Sequence, residues 1–196
     1  QYPQALALLD EAAYESSANG ISFPEVIMLR AEVLRRLDRT DEAVQAVAAY
    51  VAKAKSNDPL LVQMKVFLAE VACDRSNGKL ALRELDSLDR GLLNKSDALM
   101  QARAAVVRGR AQTLEKKHAA AAEEYDRAAM LYQKTERYLE MANALQSSAD
   151  ALAASGNNAE ASERYFRAAR AFGFGGKNEY ALVLIERAEE MARTTG

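Results

Sequence analysis

The sequence predicts an all-α protein in which antiparallel helix pairs stack into a solenoid. One apolar helical face recurs five times along the 196 residues, at a nearly constant period. No long stretch alternates β-branched with polar residues, as a half-buried strand would. The chain is also 49% apolar, which suits a packed core rather than a disordered segment.

The recurring face is marked by one alanine in each repeat. These alanines are 38, 38, 40 and 40 residues apart, at Ala5, Ala43, Ala81, Ala121 and Ala161. A large apolar residue follows four positions later, at Leu9, Val47, Leu85, Tyr125 and Tyr165, and a third set follows at Ala12, Tyr50, Leu88, Ala128 and Ala168. Positions i, i+4 and i+7 lie on one side of an α-helix, so the same packing face is presented five times.

A second helix precedes each of the last four of these faces. Small residues stand twelve positions before the alanines, at Ala31, Ala69, Gly109 and Ala149. Small side chains allow two helix backbones to approach closely, so these positions predict tight crossings within each pair. Gly78 and Gly156 are predicted to lie in turns between paired helices.

Cap and turn residues set the predicted helix ends. Asp58-Pro59 predicts an N-cap followed by proline in the first turn, and Ser22 with Glu25 has the spacing of a capping box. About ten helices are predicted, at 2–17, 24–38, 40–55, 59–76, 79–91, 97–115, 117–134, 137–154, 158–172 and 178–194. They form a single repeat domain, with the second helix of an incomplete repeat in 1–20, helix pairs in 22–57, 58–93, 96–135 and 136–172, and a capping helix in 177–196.

The stretch from Arg30 to Ala43 and the stretch from Ser148 to Ala168 resemble the helix-turn-helix core of the tetratricopeptide repeat (TPR) family. The resemblance implies a right-handed α-solenoid whose concave face is lined by the first helix of each pair. The period of 38–40 residues is longer than the usual ~34, and the aromatic residue usual near the start of the first helix is missing. HEAT-type helix pairs have a similar length and are the structural alternative.

The residues expected on the concave face follow from the repeat shift. Each first helix contributes one stripe at spacings of three, four and three residues, which lie on one side of a helix. The stripes are Glu25, Met28, Glu32 and Arg35; Gln63, Val66, Glu70 and Cys73; Arg103, Val106, Arg110 and Thr113; and Asn143, Gln146, Asp150 and Ala153. This face is predicted to bind a protein or peptide.

The charged residues on this face have two interpretations. Acidic and basic side chains of neighbouring repeats form salt bridges with one another, or they line a groove for an extended or helical peptide of mixed charge. Under the second interpretation Arg103 and Arg110 matter most, because two cations about two turns apart engage one acidic segment. Neither is expected on a packing face, so reversing both charges should leave the fold intact.

Residue content excludes several kinds of chemistry. The formal charge of −2 argues against broad binding to nucleic acid or anionic membranes, and the apolar runs are too short to span a bilayer. Cys73 is the only cysteine and is expected to be half-buried, and His118 is the only histidine and is expected at a helix start. Both are expected to be structural, so no disulfide, zinc site or catalytic pair is predicted. The glycine cluster at 173–176 departs at two positions from a phosphate-binding loop. Glu123 and Glu124 are interpreted as a solvated helix face.

The predicted function is that of an interaction module for a protein or peptide, with no enzymatic activity, cofactor or metal. The alternative is a regulatory domain that binds a small molecule or peptide signal and controls an attached effector domain. The chain begins at Gln1 rather than Met, which predicts a processed product or a fragment of a protein that extends upstream. A bacterial source and a cytoplasmic location are favoured, and the cell envelope is the alternative if an upstream signal was removed. Oligomerisation is compatible with the sequence.

Overall fold

The computed structural model describes residues 2–18 and 24–194, and 83% of these residues are helical. Eleven helices and no strand occur among them, which confirms the all-α prediction. The helices are α1 (Tyr2–Ala18), α2 (Pro24–Arg36), α3 (Thr40–Val51), α4 (Leu60–Asp74), α5 (Gly78–Asp86), α6 (Arg90–Lys95), α7 (Ala98–Leu114), α8 (His118–Lys134), α9 (Tyr138–Ala154), α10 (Asn158–Phe174) and α11 (Asn178–Arg193). The capping box predicted at Ser22 lies outside the described residues.

Helices that are neighbours in sequence pack against each other. α2 pairs with α3, α4 with α5, α7 with α8, and α9 with α10, while α1 packs on α2 and α11 packs on α10. Short connections make the paired helices antiparallel. The alanines that set the predicted register are fully buried on the second helices of the four pairs, at Ala43, Ala81, Ala121 and Ala161. The helix pairs predicted from the alanine spacing are therefore present.

The apolar core extends along the stack rather than gathering at one centre. One cluster of buried side chains joins α1 to α4, a second joins α4, α5 and α7, and a third joins α7 to α11. Each cluster shares a helix with the next, so every pair buries its apolar face mainly against its neighbours. This is the packing of an α-solenoid.

Six of the connections between helices use the same tight turn. In each, one residue takes a left-handed conformation with φ between 56° and 82°; these residues are Asp38, Ser76, Lys116, Glu136, Gly156 and Gly176. The N–H of the following residue donates to the carbonyl five positions earlier, as Lys117 does to Gln112 at 2.8 Å. This hydrogen bond closes the end of the preceding helix. Four of the six turns hold this conformation with a residue other than glycine.

Gly78 does not lie in such a turn, contrary to the prediction. It is the first residue of α5, and Ser76 takes the left-handed conformation instead. A Cβ placed on Gly78 would lie 2.7 Å from the carbonyl oxygen of Ala111, so the glycine allows α5 to approach the end of α7. Gly156 does lie in the turn between α9 and α10, as predicted.

The helix predicted at 79–91 is interrupted. α5 ends with Ser87 as its C-cap, and the hydroxyl of Ser87 donates to the carbonyl of Glu84 at 2.7 Å. Asp89 then begins a new helix, because its carboxylate accepts a hydrogen bond from the N–H of Leu92 at 2.9 Å. The resulting α6 is an extra helix within the two-helix repeat.

The connection between α3 and α4 also differs from the prediction. α3 ends at Val51, four residues earlier than expected. Asp58 does accept a hydrogen bond near the start of α4, from the N–H of Leu60 at 2.9 Å, and Pro59 precedes the first turn rather than lying in it. The connection from 52 to 59 is therefore longer than the turns described above.

Candidate functional site

The first-helix stripe, meaning the sixteen side chains predicted for the concave face, is only partly accessible. Met28 is 2% exposed and Val66 is 0% exposed, so their assignment to a partner-binding surface is wrong. The next helix pair covers both: Met28 joins the core shared with α4, and Val66 joins the core shared with α7. Cys73 is buried rather than half-buried, its thiol lies 3.7 Å from the carbonyl oxygen of Val107, and burial raises the pKa of that thiol.

The charged side chains of the stripe bind one another. Arg103 on α7 forms two hydrogen bonds with Glu70 on α4, from Nε to Oε1 at 2.5 Å and from Nη2 to Oε2 at 2.7 Å. The same Nη2 lies 3.4 Å from Oε1 of Glu32 on α2. Glu70 is 8% exposed, so Arg103 neutralises a carboxylate that is largely shielded from water.

Arg35 and Arg110 extend these contacts through one further carboxylate. Arg35 on α2 lies 3.3 Å from Glu70 and 2.5 Å from Asp74 on α4, and Arg110 on α7 lies 2.8 Å from the other oxygen of Asp74. We call these six side chains the charge network: Glu32, Arg35, Glu70, Asp74, Arg103 and Arg110. It joins three consecutive first helices and has no net charge.

The charge network keeps its members ionised. Hydrogen bonds to Glu70 raise the pKa of Arg103 further above its usual range. Burial raises the pKa of Asp74, but the hydrogen bond from Arg110 and the charge of Arg35 outweigh burial and hold that pKa below its usual range. Arg103 and Arg110 are thus occupied within the chain, which matches the salt-bridge interpretation of the stripe.

Asp74 was not among the predicted site residues. The repeat shift selects Cys73, but the following residue carries the carboxylate that links Arg35 to Arg110. Asp74 lies four residues after Glu70, so both carboxylates stand on one side of α4, and this spacing is a signal that the sequence does contain.

A smaller polar cluster surrounds Asp150 at the other end of the stripe. The hydroxyl of Tyr165 on α10 donates to the carboxylate of Asp150 at 2.6 Å, and Arg187 on α11 lies 3.4 Å from the same oxygen. Burial, together with the hydrogen bond to Asp150, raises the pKa of Tyr165 to about 12. Asp150 is therefore also occupied, and it joins α9 to α10 and α11.

Three uncharged residues of the stripe lie on α7 and α9, next to these two clusters. Val106 on α7 is half-buried, Asn143 on α9 is exposed, and Gln146 on α9 is half-buried. Neither side-chain amide has a hydrogen-bond partner among the described residues, and no ion pair there joins α7 to α9. We call Val106, Asn143 and Gln146 the uncharged segment of the stripe.

The remaining stripe residues lie at the margins. Glu25 is exposed and forms no ion pair within the described part of the chain, and Gln63 is half-buried with no side-chain hydrogen bond there. The hydroxyl of Thr113 donates to the carbonyl of Gly109 on its own helix at 3.0 Å. Ala153 is half-buried against the third core cluster.

No group of three or more His, Cys, Asp and Glu side chains is placed to hold a metal ion in residues 2–18 and 24–194. Over the same residues, every helix is too short or too polar to cross a bilayer. His118 begins α8, as predicted, with its Nδ1 buried and without a hydrogen-bond partner. It lies on a different helix from Cys73, which is on α4.

No family model matches this chain, and no curated protein matches its sequence. Solved structures do resemble it. The crystal structure of MamA superposes with a TM-score of 0.53 at 19% identity, covering 83% of this chain and 94% of that one. The crystal structure of BtubC (BKLC) from P. vanneervenii also gives a TM-score of 0.53, at 14% identity, covering 99% of this chain and 89% of that one.

Both of these proteins are TPR-like helical solenoids. The chain therefore has a TPR-like fold, which agrees with the resemblance seen in its helix-turn-helix cores. Identities of 19% and 14% are evidence for the fold alone.

Proposed function

We propose that this chain is a protein-binding module that holds a segment of a partner protein against the first-helix stripe. The observation that supports the proposal most directly is the uncharged segment formed by Val106, Asn143 and Gln146. Its two amides lack partners among the described residues, whereas the neighbouring arginines and carboxylates of the stripe are already paired. Amides without partners are where a bound protein segment can form hydrogen bonds without breaking existing ones.

The amides of Asn143 and Gln146 suit the main chain of an extended peptide. Each side-chain amide both donates and accepts, and an extended main chain presents N–H and C=O groups in alternation. The half-buried side chain of Val106 adds a small apolar contact. Recognition of this kind depends on backbone conformation more than on partner charge.

Arg103 and Arg110 have a different role in this proposal from the one predicted from sequence. Each is hydrogen-bonded to a carboxylate of the charge network, so its charge is already paired within the chain. We therefore expect partner binding to depend only weakly on salt concentration, because screening acts on unpaired surface charge.

A non-catalytic role is part of the proposal. The thiol of Cys73 is buried with a raised pKa, which is opposite to the environment of a reactive thiolate. His118 lies on another helix and pairs with no nucleophile among the described residues. The proposal thus rests on surface recognition.

The test is a capture experiment followed by titration. The immobilised chain recovers its partner from a lysate of the source organism, and the purified partner is titrated against wild type and the double variant Asn143→Ala/Gln146→Ala. We expect the affinity to fall about tenfold, since each lost hydrogen bond is worth ~0.5–1.5 kcal/mol.

The control is the double variant Gln45→Ala/Gln133→Ala, which removes two exposed amides from the second helices α3 and α8. It should bind like wild type. Equal affinity of wild type and the Asn143/Gln146 variant, with loss in the control, would place the partner on the second helices and refute the proposal.

A further inference from the structure

A cavity of about 420 Å³ lies where the extra helix α6 interrupts the repeat. Its walls come from α5, α6, α7 and α8 and the connection before α6. The volume falls within the range of about 300–1,000 Å³ that is usual for small-molecule sites. In the described residues, the other helix pairs lack a counterpart of α6.

The cavity has an excess of positive charge. Three arginines and two carboxylates line it, which leaves a net charge of +1. Arg108 uses one nitrogen to bind Asp86 at 2.5 Å. Arg90 has no ion-pair or hydrogen-bond partner in the part of the chain that the structure describes. One guanidinium therefore remains for an anion that the chain itself does not supply.

Glu124 lacks a hydrogen-bond donor in the same cavity. Its Oε2 is shielded from water and has no hydrogen bond, and the nearest cation is Nη1 of Arg127 at 3.7 Å. Its Oε1 lies 3.9 Å from Nε of Arg108. Both separations exceed a hydrogen bond, and a shielded carboxylate oxygen without a donor is unfavourable. Glu124 is thus not the solvated residue predicted from sequence, whereas Glu123 beside it is exposed.

The rest of the lining is apolar. Leu85 and Leu88 are buried and belong to the second core cluster, and Leu93 of α6 packs against that cluster. These leucines give the cavity one aliphatic wall opposite its charged groups. A ligand that satisfies the whole cavity therefore needs an anionic group, an N–H donor and an aliphatic part.

We propose that the cavity between α5, α6, α7 and α8 binds a compound whose α-carbon carries a carboxylate, an N–H group and an aliphatic side chain. A free aliphatic amino acid and the C-terminal residue of a short peptide share this chemistry. The carboxylate accepts hydrogen bonds from Arg90 and Arg127, the N–H donates to Glu124, and the side chain packs on Leu85 and Leu88.

This site is separate from the first-helix stripe. Each residue of an α-helix is rotated by about 100° from the last, so Arg108 lies about 140° around α7 from Arg103 and about 160° from Arg110. Arg103 and Arg110 belong to the charge network, while Arg108 faces the cavity. The ligand site and the proposed protein-binding surface can therefore be tested independently.

The test is titration calorimetry on the full chain with a matched set of ligands. L-leucine and leucyl-leucine carry all three groups, leucinamide lacks the carboxylate, 4-methylpentanoate lacks the nitrogen, and inorganic phosphate is an anion alone. We expect one of the first two to bind at least about tenfold more tightly than the other three compounds. Tighter binding of leucine identifies a free amino acid as the ligand class, and tighter binding of leucyl-leucine identifies a peptide terminus.

Two variants test the assigned residues. Glu124→Gln and Arg90→Ala should each lower the affinity for the tighter-binding ligand by about tenfold. Glu123 is exposed and adjacent in sequence to Glu124, so Glu123→Gln should change the affinity less than twofold. Arg90 has no partner in the described residues, so its replacement tests the site even if Glu124→Gln fails to fold. Absence of binding by both full ligands, equal binding of phosphate, or equal loss in Glu123→Gln would each overturn the proposal.

Discussion

The guanidinium of Arg103 on α7 binds the carboxylate of Glu70 on α4 through two parallel hydrogen bonds of 2.5 and 2.7 Å. Replacing Arg103 with Ala would leave a carboxylate that is 8% exposed without its closest partner. We expect a loss of about 1–3 kcal/mol in the free energy of unfolding, less than for a fully buried pair because Arg35 also contacts Glu70. Urea denaturation measures this loss.

The matched control for this prediction is Arg83→Ala. Arg83 is largely exposed and lies 3.8 Å from Glu84, so its loss should cost less than about 0.5 kcal/mol. Equal effects of the two substitutions would mean that the contacts of Arg103 stabilise the fold no more than a surface ion pair does. The expected cost also replaces the sequence-based expectation that reversing Arg103 and Arg110 leaves the fold intact.

Asp74 should make stability depend on pH. Its folded-state pKa lies below its unfolded value of about 3.9, because Arg110 and Arg35 bind the ionised form. The contribution is therefore complete above the unfolded pKa and is lost as the pH falls through the folded pKa. Melting temperatures of wild type and Asp74→Asn should differ at pH 7 and converge as the pH falls below about 4. A difference that stays constant down to pH 2 would contradict this assignment.

Gly109 should not tolerate a side chain. A Cβ placed there would lie 2.8 Å from Cε1 of Tyr125, whose ring is buried, and this contact confirms the close crossing predicted between α7 and α8. Gly109→Ala is expected to cost about 1–3 kcal/mol through overpacking. Gly173→Ala is the control, because no atom lies within 4 Å of its Cβ position on α10. It should raise the free energy of unfolding by up to ~1 kcal/mol, because alanine has the higher helix propensity. Thermal melts that rank the two variants in the opposite order would show that the register of α7 against α8 is wrong.

The left-handed turn after α7 offers a stabilising substitution. Lys116 has a φ of 57°, which costs energy for any residue with a Cβ. Lys116→Gly should raise the free energy of unfolding by about 0.5–1 kcal/mol, since glycine adopts this conformation freely. Glu123→Gly within α8 should instead lower it by about 1 kcal/mol. Calorimetry on both variants decides whether the turn is strained.

The helix pairs could be predicted because burial repeats with the helix period. An alanine packed at a crossing must recur wherever a pair recurs, so Ala43, Ala81, Ala121 and Ala161 fixed the register. α6 could not be predicted in the same way. It is a six-residue helix whose start depends on the hydrogen bond from Leu92 to Asp89, and a helix of that length has no periodic face.

The accessible part of the first-helix stripe was harder to predict than the stripe itself. A repeat shift places Met28 and Val66 beside polar neighbours, but it does not state which side the next pair covers. Ion-pair partners could not be found from the repeat shift either: Arg103 and Glu70 are 33 residues apart and Arg110 and Asp74 are 36 apart, rather than the 38–40 of the repeat.

The distribution of ion pairs along the first helices also has a mechanical consequence. The charge network cross-links α2, α4 and α7, and Asp150 with Arg187 cross-links α9 and α11. Between α7 and α9 the described residues form no such link, and the alanine-rich contact of α8 with α9 holds the stack together there. We expect salt to leave the stiffness of this junction unchanged and to soften the part of the stack that the charge network cross-links, because salt screens ion pairs and not apolar contacts.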